Sequence, residues 1–415
     1  MGSGSVHIIG AGLAGLAAAV ALRGRAEIFL HESARSAGGR CRSYHDSNLG
    51  MTIDNGNHLI LSGNHDTLAF ARAIGGEGLQ GTGAAEYCFA DLASGERWAI
   101  RPNAGPMPWW VFDKRRRAPG PRARDYFSMA RLAAATNGSR LADCVRCSGA
   151  FYEKFLRPVL VAALNTDPAT SSALLARAVA GESLARGSQA CRPLVARSGL
   201  SRAFIEPALR LLEKSNVTLR FDHRLRRIIL SDTRIAALDF GDELILLGPK
   251  DRVILATPAS VAAALLPELR TPTQHNAIVN AHFIVPAPMN FPPLLGVLNA
   301  TTEWIFAFPD RVSVTVSDAN RLLDKPREAL ATKIWSEVSA LTGLPSALPP
   351  WQIVKEKRAT FAATPAENAK RPATRTRWTN LMLAGDWTAT GLPATIEGAI
   401  RSGNKAAGAA LRGFH

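Results

Sequence analysis

The sequence predicts an α/β fold in which a Rossmann-type domain is interleaved along the chain with an α+β second domain. Three observations predict it. An apolar run at residues 6–9 leads into a glycine-rich turn and an apolar helix that continues to Leu22. A second apolar run, residues 28–30, follows that helix, as expected for a parallel strand–helix–strand unit. Near the other end of the chain, the apolar residues 381–384 stop at Gly385 and Asp386, just before a final helical pattern.

The glycine-rich turn has the spacing of a nucleotide-binding turn. It contains Gly10, Gly12 and Gly15, and each glycine has a separate task. The first allows the tight turn, the second lets the backbone approach a pyrophosphate, and the third lets the helix pack closely on the strand. Leu13 and Ala14 lie in the first turn of the helix, where unpaired N–H groups and the positive end of the helix dipole bind phosphate. The turn therefore predicts a dinucleotide site.

The residues after the second apolar run indicate which dinucleotide is bound. Glu32, with Ser33 beside it, stands where a carboxylate accepts hydrogen bonds from a ribose. Gly38 and Gly39 allow a close backbone approach, and Arg40 can neutralise a diphosphate. The pattern G-x-G-x-x-G followed by E-x5-G-G-R resembles the FAD-binding fingerprint of the flavin amine oxidase and phytoene desaturase superfamily. The resemblance implies a glutathione-reductase-like domain of the amine oxidase type, with FAD as the cofactor.

Two later segments resemble the parts of that superfamily that return to the cofactor. In the first of them one backbone position pairs with adenine, and the matching position in this chain is Leu225. In the second, Gly385 and Asp386 match the turn that contacts the ribityl and phosphate groups. A helix dipole beside the isoalloxazine stabilises the negative charge of reduced flavin. The residues that match the start of that helix are Pro393, Ala394, Thr395 and Ile396.

The chain is therefore expected to alternate between two domains. Residues 1–65, 194–260 and 376–415 are expected to form the FAD-binding domain. Residues 66–193 are expected to be largely helical and to face the substrate and a membrane, and residues 261–375 are expected to form the substrate domain. Because the segments are interleaved, each domain is completed only by pieces of chain that are far apart in the sequence.

An early loop indicates a particular branch of the superfamily. It consists of Asp54, Asn55, Gly56, Asn57 and His58. A loop of the form D-N-G-amide-H resembles the squalene-associated branch, the hydroxysqualene dehydroxylases, and so do residues 155–173 and 384–403. The resemblance places Asn55 and Gly56 against the cofactor. It implies that reduced FAD replaces the hydroxyl group of hydroxysqualene with hydrogen, with loss of water, to give squalene for hopanoid synthesis.

Such a reaction needs an acid or a hydrogen-bond donor, because a hydroxyl group leaves far more easily once its oxygen accepts a proton. His58 and Asp54 are the candidates for the acid, and the ordinary pKa of imidazole suits a protonated side chain near neutral pH. Asn57 is the candidate for orienting the hydroxyl group. Each residue has a structural alternative: the imidazole bonds backbone or flavin, the carboxylate holds a turn, and the amide holds the loop.

Two other classes of activity are compatible with the flavin motifs. A carotenoid-type desaturase passes electrons in the opposite direction, from the substrate to FAD. An amine oxidase typically has an aromatic pair flanking the flavin face, and no motif of this sequence clearly provides one. A third alternative is a lipid-binding protein in which FAD is purely structural, and the complete set of flavin motifs argues against it.

Composition limits the partners of the chain. Its 415 residues include 49 Lys and Arg against 34 Asp and Glu, a formal charge of +15. We expect no nucleic-acid partner, because the sequence has neither zinc-finger spacing nor an RNA-binding signature. Five cysteines are few and odd in number, which favours a reducing cytoplasmic compartment. We expect no metal, because Cys144-x-x-Cys147 has no second pair. No separate nicotinamide motif indicates the electron donor.

One segment, residues 106–117, predicts contact with a membrane. Tryptophan rings suit the headgroup level of a bilayer, and each basic residue near an anionic surface contributes about 1 kcal/mol. We therefore expect peripheral binding to the inner face of the cell membrane, where a C30 isoprenoid substrate would be dissolved. The alternative is a buried tryptophan pair beside an exposed arginine loop. The residues predicted to contact the membrane are Trp109, Trp110, Arg115, Arg116 and Arg117.

Overall fold

The computed structural model describes residues 4–412. The strands are β1 (Ser5–Ile9), β2 (Glu27–His31), β3 (Ser43–Asp46), β4 (Met51–Asp54), β5 (Ile60–Leu61), β6 (Leu79–Gly81), β7 (Tyr87–Asp91), β8 (Arg97–Ile100), β9 (Pro193–Ala196), β10 (Thr218–Arg220), β11 (Arg227–Ser231), β12 (Arg234–Asp239), β13 (Leu244–Leu246), β14 (Arg252–Leu255), β15 (His275–Phe283), β16 (Leu294–Leu298), β17 (Trp304–Ala307), β18 (Val312–Val316), β19 (Trp351–Phe361) and β20 (Leu381–Leu383).

The α-helices are α1 (Leu13–Leu22), α2 (His65–Ala73), α3 (Ala123–Tyr126), α4 (Leu141–Cys144), α5 (Arg157–Leu164), α6 (Ala173–Glu182), α7 (Glu206–Lys214), α8 (Ala259–Leu265), α9 (Arg327–Thr342), α10 (Pro365–Asn368) and α11 (Ile396–Leu411). Short 3-10 turns and two π-helical turns, Tyr152–Leu156 and Ser201–Ile205, lie between them.

The Rossmann-type domain is built around a five-stranded parallel sheet in the order β10-β2-β1-β14-β20. Its strands come from three separate parts of the chain, as the sequence predicts. The first helix, α1, packs against the last, α11, and a Cβ at Gly403 would lie 2.2 Å from the carbonyl oxygen of Ala14. The absence of a side chain at this glycine therefore allows the two ends of the chain to meet on one face of the sheet. A small antiparallel sheet, β11-β12-β13, is attached to this domain.

The second domain contains a seven-stranded sheet in the order β19-β15-β18-β17-β16-β7-β8. Its neighbouring strands are antiparallel except for the parallel pair β16-β7. One face packs on α9, where Ile334 and Trp335 belong to the buried cluster. The other face carries Trp304 and Phe306, which join Phe155 and the helical part of the chain in a second buried cluster. The predicted fold class, a Rossmann-type domain interleaved with an α+β domain, is therefore confirmed.

The structure differs from the sequence prediction in the region 66–193. This region was expected to be largely helical, but it also contains β6, β7 and β8. The difference has a physical reason: β7 pairs in parallel with β16, which is distant in the sequence, so no local pattern reveals the pairing. The region therefore contributes two strands to the sheet of the second domain, and its helical part begins after them.

Three features of residues 4–412 concern membrane spans, metal ligands and thiols. No helix there combines the length and the apolar composition needed to cross a bilayer. No group of three or more His, Cys, Asp or Glu side chains in this range is arranged to hold a metal ion. All five cysteines are free thiols.

Candidate cofactor and active site

The glycine-rich turn between β1 and α1 has the geometry that its spacing predicts. Gly10 has a φ angle of +106°, and its N–H donates to the carbonyl oxygen of His31 at 2.7 Å. A Cβ at Gly15 would lie 1.9 Å from the carbonyl oxygen of Gly10, so only glycine allows the helix to start this close to the strand. Gly12 precedes α1, no side chain caps the helix there, and a Cβ at this position would meet nothing within 4 Å. Space is therefore open beside the backbone of Gly12 at the start of the helix, whereas Leu13 and Ala14 are buried.

The carboxylate of Glu32 closes this turn on the side of β2. Its Oε2 accepts from the N–H of Ala11 at 2.7 Å, and its Oε1 accepts from the N–H of Ala34 at 2.9 Å and from Ser33 Oγ at 3.2 Å. The N–H of Gly38 donates to the carbonyl oxygen of Ala11 at 2.8 Å. The carboxylate predicted to bind a ribose is therefore fixed against the nucleotide-binding turn.

The second predicted segment joins the same edge of the sheet. The N–H of His223 donates to the carbonyl oxygen of Glu32 at 2.8 Å, and Leu225 follows two residues later as a buried residue. The backbone at Leu225 therefore lies close to the end of β2, where the sequence predicts contact with adenine. That contact stays a prediction.

The third segment meets the first through an ion pair between Arg40 and Asp386. The distance from Arg40 Nη2 to Asp386 Oδ1 is 2.7 Å, and the carboxylate raises the pKa of the guanidinium. Gly385, before this carboxylate, has a φ angle of +140°, and a Cβ there would lie 2.4 Å from Trp387 Nε1. The indole of Trp387 is buried and donates from Nε1 to the carbonyl oxygen of Thr257 at 2.8 Å. Two predicted cofactor segments are thus held together by a charged contact.

The start of α11 is fixed by a capping hydrogen bond in its own first turn and by hydrogen bonds with the start of helix α2. Thr395 Oγ1 caps the helix by accepting from the N–H of Gly398 at 3.0 Å. Pro393 is buried, whereas Ala394 and Ile396 are half-buried. Glu397 is buried in the first turn, but its oxygens accept from the N–H groups at the start of another helix, α2. The N-terminus of α11 is therefore fixed relative to the loop that precedes α2.

Asp54, at the start of that loop, is bound to the scaffold. Its Oδ1 accepts from Ser43 Oγ at 2.6 Å and from the N–H of Leu200 at 2.9 Å. Burial raises the pKa of this carboxyl group. These contacts join the β3–β4 hairpin to residues 199–201, so Asp54 holds the loop in place, and its predicted role as a proton donor stays a prediction.

Asn55 and Gly56 lie between the predicted cofactor residues and the sheet of the second domain. Asn55 Nδ2 donates to Glu356 Oε2 at 3.2 Å and to the carbonyl oxygen of Arg40 at 3.4 Å. A Cβ at Gly56 would lie 3.1 Å from Asn280 Nδ2, which explains why a residue without a side chain stands here. The loop is therefore pressed against β15.

Asn57 offers an unpaired acceptor in an otherwise bonded loop. Its Nδ2 donates to Thr315 Oγ1 at 3.1 Å, and its N–H donates to Asn280 Oδ1 at 3.4 Å. Its Oδ1 is buried and has no partner among the described residues. A buried acceptor without a partner is costly unless a bound molecule satisfies it. Thr315 Oγ1 gives its own hydrogen to Asn280 Oδ1 and therefore accepts from Asn57, which fixes the amide with Nδ2 on that side and leaves Oδ1 as the atom available to a ligand.

The imidazole of His58 has no hydrogen-bond partner within residues 4–412. Burial and the nearby Arg40 guanidinium lower its pKa to about 4. The expectation that this side chain is protonated near neutral pH is therefore wrong, since desolvation and a neighbouring cation both disfavour the imidazolium. At neutral pH His58 is a neutral group with one N–H donor and one acceptor nitrogen.

Some residues of this site were not predicted from the sequence. Asn280 and Thr315 lie on neighbouring strands, β15 and β18, and Thr315 Oγ1 donates to Asn280 Oδ1 at 2.8 Å. Glu356 lies on β19, beside β15. The sequence signal is limited to Asn280 and Thr315, which interrupt apolar runs of β15 and β18, whereas Glu356 lies among charged residues of β19. Arg371, which follows α10, was also not predicted and is buried behind Asp386.

The segment predicted to contact a membrane has one exposed aromatic face. Trp109 is 63% exposed and Phe112 is 58% exposed, and Phe127 joins them with its ring centroid 6.0 Å from that of Phe112. Trp110, by contrast, is buried, with its ring edge-on to Tyr126 at 5.2 Å. The expectation for Trp110 is therefore wrong: its side chain belongs to the core.

The basic residues of this segment differ in their environment. Arg115 is exposed, and its guanidinium lies 3.5 Å from Asp113. Arg116 and Arg117 are half-buried and donate to carbonyl oxygens of Arg101 and Pro121. Further exposed cations lie nearby in the sequence, namely Lys114, Arg122, Arg124 and Arg131.

Comparison with known proteins gives consistent results. The family described as flavin containing amine oxidoreductase matches residues 13–411. A hydroxysqualene dehydroxylase of Rhodopseudomonas palustris is 51% identical over 408 residues, which is 98% of each chain. Proteins of the same name from Sinorhizobium fredii and Zymomonas mobilis are 51% and 44% identical over 409 residues, again 98% of each chain.

Solved structures share the fold at low sequence identity. Putrescine oxidase bound to putrescine superposes with a TM-score of 0.71 at 16% identity, covering 98% of each chain. Cyclohexylamine oxidase from Brevibacterium oxydans gives a TM-score of 0.71 at 16% identity, covering 99% of each chain.

Proposed function

The chain belongs to the flavin-containing amine oxidoreductase family and, within it, to the hydroxysqualene dehydroxylases, and we propose that it converts hydroxysqualene and reduced FAD into squalene, water and oxidised FAD. The observation that carries this proposal is 51% identity over 98% of the chain to proteins of that name. The protein is therefore an FAD-dependent oxidoreductase whose substrate is a C30 isoprenoid alcohol.

The described residues fit FAD in three respects. A Cβ at Gly12 would project into open space before an uncapped helix, where a diphosphate can approach the backbone. Glu32 stands at the end of β2, beside that turn. Arg40 and Asp386 pair at 2.7 Å, which holds two predicted cofactor segments together. When bound in its reduced form, FAD supplies the hydride equivalent that replaces the hydroxyl group.

The chain's own residues then bind and orient the reactants. Asn57 Oδ1 accepts the hydrogen of the substrate hydroxyl, because it is the unpaired acceptor of the loop. The neutral imidazole of His58 would donate a hydrogen bond to the same oxygen as the C–O bond breaks, and a proton from solvent would complete the water that leaves. Asp54 holds the loop through Ser43 and Leu200, so that these two side chains stay in place.

A product assay tests this function. Purified protein is incubated anaerobically with reduced FAD and hydroxysqualene, and squalene is measured by gas chromatography. We expect Asn57→Ala to lower the rate of squalene formation by about tenfold, because the loss of one hydrogen bond that orients the substrate costs about 1.4 kcal/mol. Asn48→Ala is the matched control, since Asn48 is an exposed amide in the β3–β4 turn.

The same assay separates the alternatives. No squalene from the wild-type protein, with bleaching of its oxidised flavin by phytoene or by an amine, would indicate a desaturase or an amine oxidase. Equal rates for Asn57→Ala and Asn48→Ala would refute the role assigned to Asn57 while leaving the activity intact.

We also propose that the protein is cytoplasmic and binds peripherally to the inner face of the cell membrane. The support is the exposed face formed by Trp109, Phe112 and Phe127, which we call the aromatic face. The exposed cations named above lie on the same stretch of chain, and each contributes about 1 kcal/mol of attraction to an anionic bilayer. Because hydroxysqualene is almost entirely hydrocarbon, an enzyme that docks on the bilayer meets its substrate at the surface where it is dissolved.

Sedimentation with liposomes tests the docking. We expect the wild-type protein to sediment with vesicles that contain anionic lipid. We expect Trp109→Ala with Phe112→Ala and Phe127→Ala to lose most of that binding, because exposed aromatic area no longer inserts at the headgroup level. Leu246→Ala is the control, since Leu246 is 75% exposed on β13, outside the aromatic face. Unchanged sedimentation of the triple variant would exclude this face as the docking surface.

A further inference from the structure

A buried arginine holds the turn that joins two cofactor-binding pieces of the third segment. Arg371 is 8% exposed, and its Nη2 donates to the carbonyl oxygens of Asp386 at 3.0 Å and Thr388 at 2.5 Å. Thr390 Oγ1 lies 2.8 Å from the same nitrogen, so three acceptors share its two N–H groups, and Nη1 donates to Asn368 Oδ1 at 3.0 Å. One side chain therefore contacts every second residue of this turn, namely Asp386, Thr388 and Thr390.

This turn leads directly from Asp386 to the start of α11. Thr390 Oγ1 also accepts from the N–H of Leu392 at 3.2 Å, one residue before Pro393. Thr388 Oγ1 donates back to the carbonyl oxygen of Gly385 at 2.8 Å. The contacts of Arg371 thus continue on one side to the Gly-Asp turn and on the other to the N-terminus of the last helix.

The positive charge of Arg371 has no carboxylate partner at contact distance. Within residues 4–412 no Asp or Glu oxygen lies within ion-pair distance of its guanidinium, and the nearby Asp386 carboxylate is already paired with Arg40. The guanidinium rests over the ring of Phe361, 4.8 Å from its centroid. Burial lowers the pKa of this guanidinium to about 10, so it remains charged at neutral pH. Burying a charge without a counter-ion costs free energy, and a bound group of opposite charge offsets that cost.

We propose that Arg371 is a positioning residue of the FAD site, which shapes residues 386–392 around the cofactor and supplies a fixed positive charge that favours the reduced, anionic flavin. Two substitutions of Arg371 separate the effect of its hydrogen-bond geometry from the effect of its charge. A lysine keeps the charge but cannot reproduce a planar guanidinium that donates in several directions, whereas a methionine keeps much of the apolar volume and loses both.

Two measurements, neither of which needs hydroxysqualene, test the proposal. The first is the Kd of FAD for the apoprotein, measured by quenching of flavin fluorescence, and the second is the midpoint potential of the bound flavin. We expect Arg371→Lys to raise the Kd by about tenfold or more, because it loses charge-assisted hydrogen bonds, and to leave the potential unchanged. We expect Arg371→Met to raise the Kd further and to shift the potential to more negative values.

Arg375→Met is the matched control, because Arg375 is an exposed arginine four residues further along the chain. It loses the same formal charge, and we expect wild-type Kd and potential. An unchanged potential in Arg371→Met would overturn the proposal, since an arginine that only stabilises the fold would not affect the bound flavin. If Arg371→Met does not retain FAD, Arg371→Lys decides the question, and a wild-type Kd in that variant would overturn it.

Discussion

Three buried imidazoles of this protein resist protonation. Burial lowers the pKa of His31 to about 3, and burial also lowers the pKa values of His58 and His282 to about 4. His282 lies on β15 with its Nδ1 2.9 Å from Ser313 Oγ, and it is fully buried. Because these groups are neutral in the native state, acid should destabilise the protein before most of its carboxylates are protonated.

The direction of the effect follows from the pKa values. In the unfolded chain His282 takes up a proton near its ordinary pKa of 6.5, whereas the native state resists protonation until about pH 4. Between these values the unfolded state binds more protons, so native stability falls as the pH is lowered. We expect His282→Gln to lose about 3 kcal/mol less stability than the wild type between pH 7 and pH 4.

Urea denaturation followed by circular dichroism at several pH values measures this difference. His45→Gln is the control, because His45 is exposed on β3. Parallel pH profiles for the wild type and His282→Gln would show that the buried imidazole does not contribute to acid sensitivity.

For individual residues, the sequence predicted which loop approaches the active site but not the protonation state of its histidine. The pattern from Asp54 to His58 was visible, but the Arg40 guanidinium and the burial that make His58 neutral come from elsewhere in the fold. Likewise, the buried state of Trp110 depends on Tyr126 and Phe155, which no local pattern connects to it.

Among the secondary-structure elements, α11 and α2 are coupled by Glu397. Its Oε1 accepts from the N–H of Asp66 at 3.0 Å, and its Oε2 accepts from the N–H of Thr67 at 2.8 Å. Arg401, one turn later, bonds Glu397 and makes a bidentate contact with Glu182 on α6. A carboxylate of the last helix therefore caps the first turn of α2, which follows the loop that contains Asn57 and His58.

We expect Glu397→Ala to lower the free energy of unfolding by about 3 kcal/mol, because it leaves two buried N–H groups and part of a buried ion pair without partners. Chemical denaturation measures the change. Glu328→Ala is the matched control, since Glu328 is an exposed carboxylate in the first turn of α9. Equal stabilities for the two variants would contradict the coupling of α11 to α2.

Helices and strands could be predicted where their sequence patterns are local, whereas contacts between remote parts of the chain could not. The helix α1 and strands β1, β2 and β20 were visible because buried parallel strands and glycine turns leave strong local patterns. The function of Glu397 was not visible, because its position suggests a carboxylate that stabilises its own helix, whereas it caps another one. The pairing of β7 with β16 was hidden for the same reason, since the partner is remote in the sequence.

For the whole molecule, the interleaving of the two domains is the feature that creates the site. The nucleotide turn, the backbone near Leu225 and the start of α11 come from the three predicted FAD segments, and the parallel sheet brings them together. The substrate-domain sheet then places Asn280 and Thr315 under the loop that carries Asn57. FAD and an isoprenoid alcohol would therefore meet where the two domains meet.

An anaerobic single-turnover experiment tests the central claim most directly. Holoenzyme is reduced with a stoichiometric amount of dithionite and mixed with hydroxysqualene, while flavin absorbance and squalene are followed together. We expect the flavin to be reoxidised with formation of one squalene molecule per flavin. Flavin that remains reduced, or that is reoxidised without squalene, would contradict it.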